Sequence, residues 1–140
     1  MKKLSILTLA LTLSACGESG TPRERAEANF HQINKACADK MGDYSGTAGL
    51  IAYNGSDRER KYKDVASAEG DDRTILNRMC YQISKLKEGS DKNSYTVMSF
   101  EEEPEGEQTW YVLNIKYPNN KQAQFAFIDI KGTMALGDID

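Results

Sequence analysis

The sequence contains a single histidine, His31, and this scarcity limits the catalysis that it can support. A Ser-His-Asp or Cys-His catalytic arrangement would have to use His31, and no nucleophile-elbow motif accompanies it. His31 lies beside the apolar stripe of a predicted helix and not on it, so we interpret it as a surface residue. The sequence therefore predicts a protein that is not an enzyme.

Long apolar runs and an excess of basic residues are also missing. The one markedly apolar segment, Leu4–Leu13, is about half as long as the roughly 20 residues that span a bilayer. The formal net charge is −3, and the basic residues form no separate face. These features argue against a later transmembrane helix and against nucleic acid as a partner.

The beginning of the chain carries a targeting pattern. Met1-Lys2-Lys3 is positively charged, an apolar run follows, and small residues come next, which is typical of a secretory signal peptide. Leu13-Ser14-Ala15-Cys16 resembles the lipobox of bacterial lipoproteins at all four positions. The resemblance implies cleavage before Cys16, a diacylglyceryl thioether on its sulfur and an acyl chain on its amino group. Gly17, in place of an Asp retention signal, favours the outer membrane.

We therefore divide the chain into a signal peptide (residues 1–15), a lipidated cysteine with a short polar tether (16–21) and a single domain (22–140). Removal of residues 1–15 leaves 16 basic and 21 acidic residues, a formal charge of −5. Two or three acyl chains hold a protein on a membrane effectively permanently. We expect attachment to the cell envelope through lipid on Cys16, an envelope protein as partner, and no cofactor.

Two cysteines remain after lipidation of Cys16, namely Cys37 and Cys80. An exported protein meets an oxidising compartment, where disulfides form and persist. A metal site is the alternative, but two thiols and the distant His31 lack zinc-ligand spacing. Both cysteines also lie on apolar helix stripes. The sequence therefore predicts a Cys37–Cys80 disulfide and no metal site.

Two helices are indicated by apolar spacings of three and four residues. The first begins with Thr21 as the cap and Pro22 at the first helical position, and it is predicted to end at Gly42. The second is predicted to begin with Asp71 or Asp72 as the cap and to end at Gly89. Their stripes are Ala26, Phe30, Ile33, Cys37 and Met41, and Ile75, Leu76, Met79, Cys80, Ile83 and Leu86.

From Ser94 onward the apolar residues alternate, which predicts strands joined by short turns. The strands are Tyr95–Glu101, Thr109–Tyr117, Gln122–Ile130 and Thr133–Ile139, with turns at Glu103–Gly106, Pro118–Asn120 and Lys131–Gly132. The second strand places Tyr111, Leu113, Ile115 and Tyr117 on one face, opposite Trp110, Val112, Asn114 and Lys116. Residues 42–70 leave a short strand, a hairpin and a flap open as alternatives.

Helices followed by an antiparallel meander predict an α+β fold. We expect two disulfide-linked helices packed on a four-stranded antiparallel meander sheet. This order of elements resembles the cystatin-like and NTF2-like folds that some small bacterial lipoproteins adopt. A resemblance in element order implies no particular activity.

Several surfaces are candidates for binding. Arg58, Arg60 and Tyr62 lie in a charged segment and belong to residue types that are common at interface hot spots. Trp110, with Phe125 or Phe127 beside it, is expected either to be buried under residues 42–70 or to offer an apolar patch. The acidic run Glu101–Glu107 is interpreted as a solvated hairpin tip, and Asp129, Asp138 and Asp140 as non-catalytic carboxylates.

Three classes of function are compatible with these features. We favour a non-catalytic module of the envelope that binds, inhibits or assists another protein. The alternative is a carrier of a small ligand, held in a pocket between sheet and helices that Tyr111, Leu113 and Phe127 would line. An enzyme is the third class, and the lack of any catalytic motif argues against it.

Overall fold

Two α-helices precede a four-stranded antiparallel sheet in the computed structural model, which describes residues 17–37, 46–52, 62, 65–91 and 93–140. A short 3₁₀ helix, Ala48–Leu50, lies between the two helices. The elements are α1 (Pro22–Ala36), α2 (Gly70–Leu86), β1 (Thr96–Glu105), β2 (Gln108–Lys116), β3 (Gln122–Ile130) and β4 (Thr133–Ile139). The predicted α+β class is thereby confirmed. The predicted signal peptide and Cys16 lie outside the described residues.

Helix α1 begins where the sequence predicts. The Thr21 Oγ1 atom accepts a hydrogen bond of 3.2 Å from the backbone N–H of Glu24, which caps the helix. Pro22 occupies the first helical position, where its missing N–H costs nothing. The face that α1 turns to the sheet carries buried residues at helical spacing: Ala26, Asn29, Phe30, Ile33 and Asn34.

The prediction that α1 extends to Gly42 is wrong, because the helix ends at Ala36. The buried side chain of Lys87 donates a hydrogen bond from Nζ to the backbone carbonyl of Asn34. This carbonyl belongs to the last turn of the helix, where a side-chain donor can satisfy a backbone acceptor. A positive charge at a helix C-terminus is also favourable to the helix dipole. A side chain that lies 53 residues away thus contributes a contact to this end of the helix.

The predicted capping of α2 by Asp71 or Asp72 is also wrong. The helix already begins at Gly70, and Glu69 occupies the capping position without a side-chain hydrogen bond. Asp71 and Asp72 lie in the first turn instead, where negative charge is favourable to the helix dipole.

The other end of α2 is Leu86 and not Gly89. The side-chain amide of Asn119, in the turn between β2 and β3, donates to the Leu86 carbonyl at 2.8 Å. Lys121 donates from Nζ to the Lys85 carbonyl at 3.2 Å. The turn between two strands thus satisfies helix carbonyls that the sequence pattern alone leaves open.

The predicted disulfide between Cys37 and Cys80 is confirmed. Their Cα atoms are 4.8 Å apart, and neither residue has any exposed surface. Cys37 follows the last residue of α1, and Cys80 lies in the middle of α2. The bond therefore joins the two helices inside the core.

The sheet is a meander in which the strands follow one another in the order β1-β2-β3-β4. The predicted bounds of β3 and β4 are confirmed. Strand β1, however, continues to Glu105, which pairs with Gln108, so the predicted turn at Glu103–Gly106 is wrong. Pro104 is compatible with this pairing because β1 is an outer strand, whose free side needs no N–H donor.

One face of the sheet packs on the helices and forms the main core. Leu113, Phe125 and Phe127 have no exposed surface, and Phe30 of α1 meets Phe125 with ring centroids 4.6 Å apart. The β2 alternation predicted from the sequence is confirmed, since Leu113, Ile115 and Tyr117 belong to this core.

The outer strand β4 is covered by chain from the region between the helices. Ile51 forms a single parallel bridge with Leu136, and the backbone N–H of Ala52 donates to the Leu136 carbonyl at 2.8 Å. Ile51 belongs to the main core, and Ala52 packs in a smaller cluster on the other face of the sheet. Of the three alternatives for residues 42–70, the described part shows a short helix and this bridge; the expected Asn54-Gly55 hairpin lies outside the described residues.

Candidate functional site

The face of the sheet that points away from the helices carries a groove, which we call the outer groove. It encloses about 240 Å³. Its apolar floor is formed by Trp110 and Val112 on β2 and Ala126 on β3. Polar residues complete the lining: Glu103, Glu105, Gln124, Asp138 and Asp140. Every ionisable side chain of the lining is therefore acidic.

Strand register explains why acidic residues surround this floor. Glu103 pairs with Trp110 across the β1–β2 ladder, and Asp138 pairs with Ala126 across the β3–β4 ladder. Directly paired residues point to the same face of a sheet. The two outer strands thus bring carboxylates to both sides of the apolar floor.

The indole ring of Trp110 is held in a defined position. Its Nε1–H donates to Glu105 Oε2 at 2.7 Å. The far side of the ring contacts Gly137 on β4, where an added Cβ would lie 2.7 Å from Cζ3. The ring also packs against a small cluster formed by Ala52, Ile128, Ile130 and Ala135. The ring is therefore half-buried and oriented at the floor of the outer groove.

Of the four predicted interaction residues, the structure describes Tyr62 and Trp110, and these two lie on opposite faces of the sheet. Tyr62 packs against the main core on the helix side, whereas Trp110 packs in the small cluster on the opposite face. Arg58 and Arg60 lie outside the described residues. The prediction that Phe125 or Phe127 lies beside Trp110 is wrong, because both rings are buried on the helix side. Successive residues of β3 point to opposite faces of the sheet, so the odd-numbered residues face the helices and the even-numbered residues face outward.

Of the three aspartates considered as a possible cluster, Asp129 lies apart from Asp138 and Asp140. Asp129 accepts from the Arg25 guanidinium at 2.8 Å and from the Gly132 backbone N–H at 2.8 Å. Asp138 and Asp140 line the outer groove. Within the described residues, no group of three or more His, Cys, Asp or Glu side chains is arranged to hold a metal ion.

His31 is exposed, as the sequence predicts, and its Nδ1 lies 3.0 Å from the hydroxyl of Tyr95. Partial burial raises the pKa of the Tyr95 hydroxyl, and the charge of Glu27 raises it further. The Tyr95 ring in turn packs edge-on against Phe30, with centroids 4.8 Å apart. The histidine therefore lies beside a phenol whose raised pKa keeps it protonated at neutral pH.

A second groove, which we call the end groove, lies between the last turns of α2 and the sheet. It encloses about 390 Å³. Its lining is Tyr81, Gln82, Lys85, Leu86, Lys121, Gln122, Ala123, Ile139 and Asp140. Tyr81 is 49% exposed, which is unusual for a large side chain on this molecule. None of the residues that were expected to line a cavity between sheet and helices lines the end groove, because Leu113 and Phe127 are fully buried in the core and Tyr111 packs against it.

Sequence reasoning missed both grooves for the same reason. The outer groove depends on the register of the strand pairs and the end groove on how α2 packs beside the β2–β3 turn, and neither is visible in a single segment. One signal was available: Glu101, Glu103 and Glu105 alternate, so a strand through them places all three on one face.

No helix among the described residues is long and apolar enough to cross a membrane. No protein-family model, no curated protein and no solved structure matches the chain.

Proposed function

We propose that this chain is a lipid-anchored lipoprotein of the bacterial envelope whose domain binds a cationic segment of another envelope protein in the outer groove. The domain acts as a non-catalytic interaction module, either inhibiting its partner or serving as its accessory subunit. The observation that carries the binding proposal is the lining of the outer groove, in which four carboxylates surround the ring of Trp110.

The chemistry of the groove selects the partner. A lysine or arginine side chain gains electrostatic attraction from Glu103, Glu105, Asp138 and Asp140. An anionic partner would meet only repulsion there. Tryptophan is also among the residues that contribute most to binding energy at protein interfaces.

Anchoring is supported by the lipobox resemblance of Leu13-Ser14-Ala15-Cys16 and by its position directly after a short apolar run. The proposed site of the anchored chain is the outer membrane, because Gly17 follows the cysteine. Substitution Cys16→Ala tests the anchor. The variant is expected to leave the membrane fraction after export, and continued fractionation with membranes would contradict the proposal.

The binding site is tested by crosslinking the protein in its native envelope and identifying partners by mass spectrometry. We expect one dominant partner with a basic segment. The double variant Glu103→Gln/Asp138→Asn should lower its capture about tenfold, which corresponds to about 1.4 kcal/mol. A matched control, Glu69→Gln/Asp71→Asn, removes two exposed charges near the start of α2 and should leave capture unchanged.

Equal losses in the two double variants would contradict the outer groove as the binding site, because only net charge would then matter. Added salt should weaken capture of the native protein, since exposed charge pairs are screened.

A small-ligand carrier is the second candidate, and the end groove favours it. Its volume of about 390 Å³ lies within the range of about 300–1,000 Å³ that is typical of ligand pockets. If crosslinking captures no protein above background, native mass spectrometry of the protein purified from membranes should reveal a bound small molecule.

A further inference from the structure

The chain is fixed to the domain almost immediately after the proposed lipidation site. The backbone N–H of Glu18 donates to the Gly132 carbonyl at 3.0 Å. Its carboxylate accepts from the Asn29 side-chain amide at 2.8 Å and from the Met134 backbone N–H at 3.2 Å. The Nε atom of Arg25 lies 3.5 Å from the same carboxylate. We call these five residues the Glu18 clasp.

The Glu18 clasp is partly buried and joins three parts of the molecule. The side chain of Arg25 is 12% exposed, that of Glu18 is 27% exposed, and Asn29 is 8% exposed. Arg25 and Asn29 lie on α1, while Gly132 and Met134 belong to the β3–β4 hairpin. Three hydrogen bonds and one ion pair converge on Glu18. Together they fix this segment of the chain to the domain, which a single exposed ion pair would not do.

Only Gly17 separates Glu18 from Cys16. An extended chain covers at most about 3.6 Å per residue, so the Cα atoms of Cys16 and Glu18 are at most about 7 Å apart. The segment 16–21, which is short and polar, would reach about 20 Å if all of it were free. Fixation at Glu18 removes most of this reach.

We propose that the end of the domain that bears the Glu18 clasp rests on the bilayer surface, so that the lipid anchor holds the domain in one orientation. This inference rests on the proposed lipidation of Cys16. The β3–β4 turn and the start of α1 lie at this end. In an antiparallel meander the β1–β2 turn lies there too, and the β2–β3 turn lies at the opposite end. The end groove therefore points away from the membrane.

Covalent lipid, and not surface charge, imposes this contact. Exposed acidic residues outnumber basic ones at this end, since Glu24, Glu105, Glu107 and Asp129 are exposed there against Arg23 and Lys131. Such an end is not attracted to anionic lipids. The orientation should accordingly be the same on zwitterionic phosphatidylcholine vesicles, which are the membrane chosen for the test.

The test measures how strongly nitroxide-labelled lipid headgroups quench a tryptophan at each end of the domain. In the background Trp110→Phe, which removes the native tryptophan, Arg23→Trp places a probe near the clasp and Gln122→Trp places one at the far end. Both positions are exposed. The two ends are separated by roughly 30 Å, the length of a nine-residue strand. Acrylamide quenching in detergent micelles gives the intrinsic exposure of each probe.

The lipidated proteins are reconstituted into phosphatidylcholine vesicles, and their flotation is measured first. A floating protein whose Arg23→Trp probe is quenched at least about threefold more than its Gln122→Trp probe supports the inference, given the separation of the two ends. Equal quenching in a floating protein overturns the orientation and leaves the anchor intact. A protein that does not float contradicts the anchor itself, and the orientation fails with it.

A matched variant tests the role of the short connection. About ten Gly and Ser residues inserted between Gly17 and Glu18 leave the Glu18 clasp in place and add an average reach of about 18 Å. Quenching of the Arg23→Trp probe should then fall to the level of the far probe. Unchanged quenching after insertion would overturn the inference, because the orientation would then not depend on fixation at Glu18.

Discussion

The ring of Trp110 lies so close to the backbone of Gly137 that a Cβ at that position would stand 2.7 Å from Cζ3 and 3.0 Å from Cη2. Gly137 lies on the outer strand β4. The Nε1–H of Trp110 donates a hydrogen bond to Glu105 on the other outer strand, β1. One side chain on β2 thus contacts both β1 and β4. The absence of a side chain at Gly137 is what allows the indole to lie flat across the sheet.

The substitution Gly137→Ala should displace the indole ring. We expect the free energy of unfolding to fall by about 1–3 kcal/mol, the usual cost of overpacking. The emission of the only tryptophan should shift at the same time, which reports the displacement directly. Urea unfolding followed by fluorescence measures both effects.

Gly49→Ala is the matched control, because an added Cβ there would meet only the Tyr62 carbonyl at an ordinary 3.8 Å. Its effect should stay within about 0.5 kcal/mol. Similar losses in the two variants would show that contact with Trp110 is not the reason for the effect.

Loss of the disulfide should destabilise the fold. In the double variant Cys37→Ala/Cys80→Ala, the loop of 43 residues is no longer closed in the unfolded chain, and stability should fall by about 2–4 kcal/mol. Urea unfolding with and without reductant measures the change. Reductant should lower the stability of the native protein and leave that of the variant unchanged; an equal response of both proteins would contradict the bridge.

Stability should fall at alkaline pH because of Tyr117. Burial raises the pKa of this phenol strongly, and the neighbouring charge of Tyr95 adds to the effect. The unfolded chain releases the phenolic proton near about pH 10 while the folded protein keeps it, so the free energy of unfolding decreases as pH rises above that value. Urea unfolding at several alkaline pH values, with phenolate absorbance recorded in parallel, measures this dependence.

Tyr117→Phe should reduce the alkaline loss, although it also removes the hydroxyl that donates to Asn34 Oδ1 at 2.9 Å. Tyr81→Phe serves as the comparison, since Tyr81 is 49% exposed. An alkaline loss that persists unchanged in Tyr117→Phe would assign the dependence to other groups.

Lys87 should be important for stability although it is a charged residue. It is 4% exposed and donates to the Asn34 carbonyl. Lys87→Met keeps an apolar stem of similar length but removes this donor, which should cost about 1–3 kcal/mol because a buried carbonyl loses its partner. Lys85→Met, at a side chain that is 45% exposed, should change stability by less than about 0.5 kcal/mol. Thermal or urea unfolding of both variants checks the difference.

Much of the fold follows from local patterns in the sequence. The bounds of β3 and β4 were predicted because alternation and tight turns are encoded within a few neighbouring residues. The disulfide followed from the two cysteines that remain after the proposed lipidation of Cys16 and from the oxidising compartment, and their positions on apolar helix stripes supported it. The ends of α1 and α2 were missed; Lys87 and Asn119, which bond to carbonyls at these ends, come from distant parts of the chain.

The candidate site was less predictable. Alternation placed Trp110 opposite the core, but it could not show that Asp138 of β4 would lie near Glu103 of β1. That proximity depends on the registers of the β1–β2, β2–β3 and β3–β4 pairings. It also depends on a register shift between Ala126 and Phe127 in the β3–β4 pairing. Long-range register of this kind is not encoded in any single segment.

The outer edges of β1 and β4 also determine whether neighbouring copies of the chain can pair their strands when they are crowded on a surface. A chain held on a surface, as proposed here, experiences a high two-dimensional density, under which exposed strand edges tend to pair. Strand β4 is covered by Ile51 and Ala52, and β1 carries Pro104 among its glutamates. Both edges are therefore poor templates for pairing, and each copy should stay dispersed with its outer groove available.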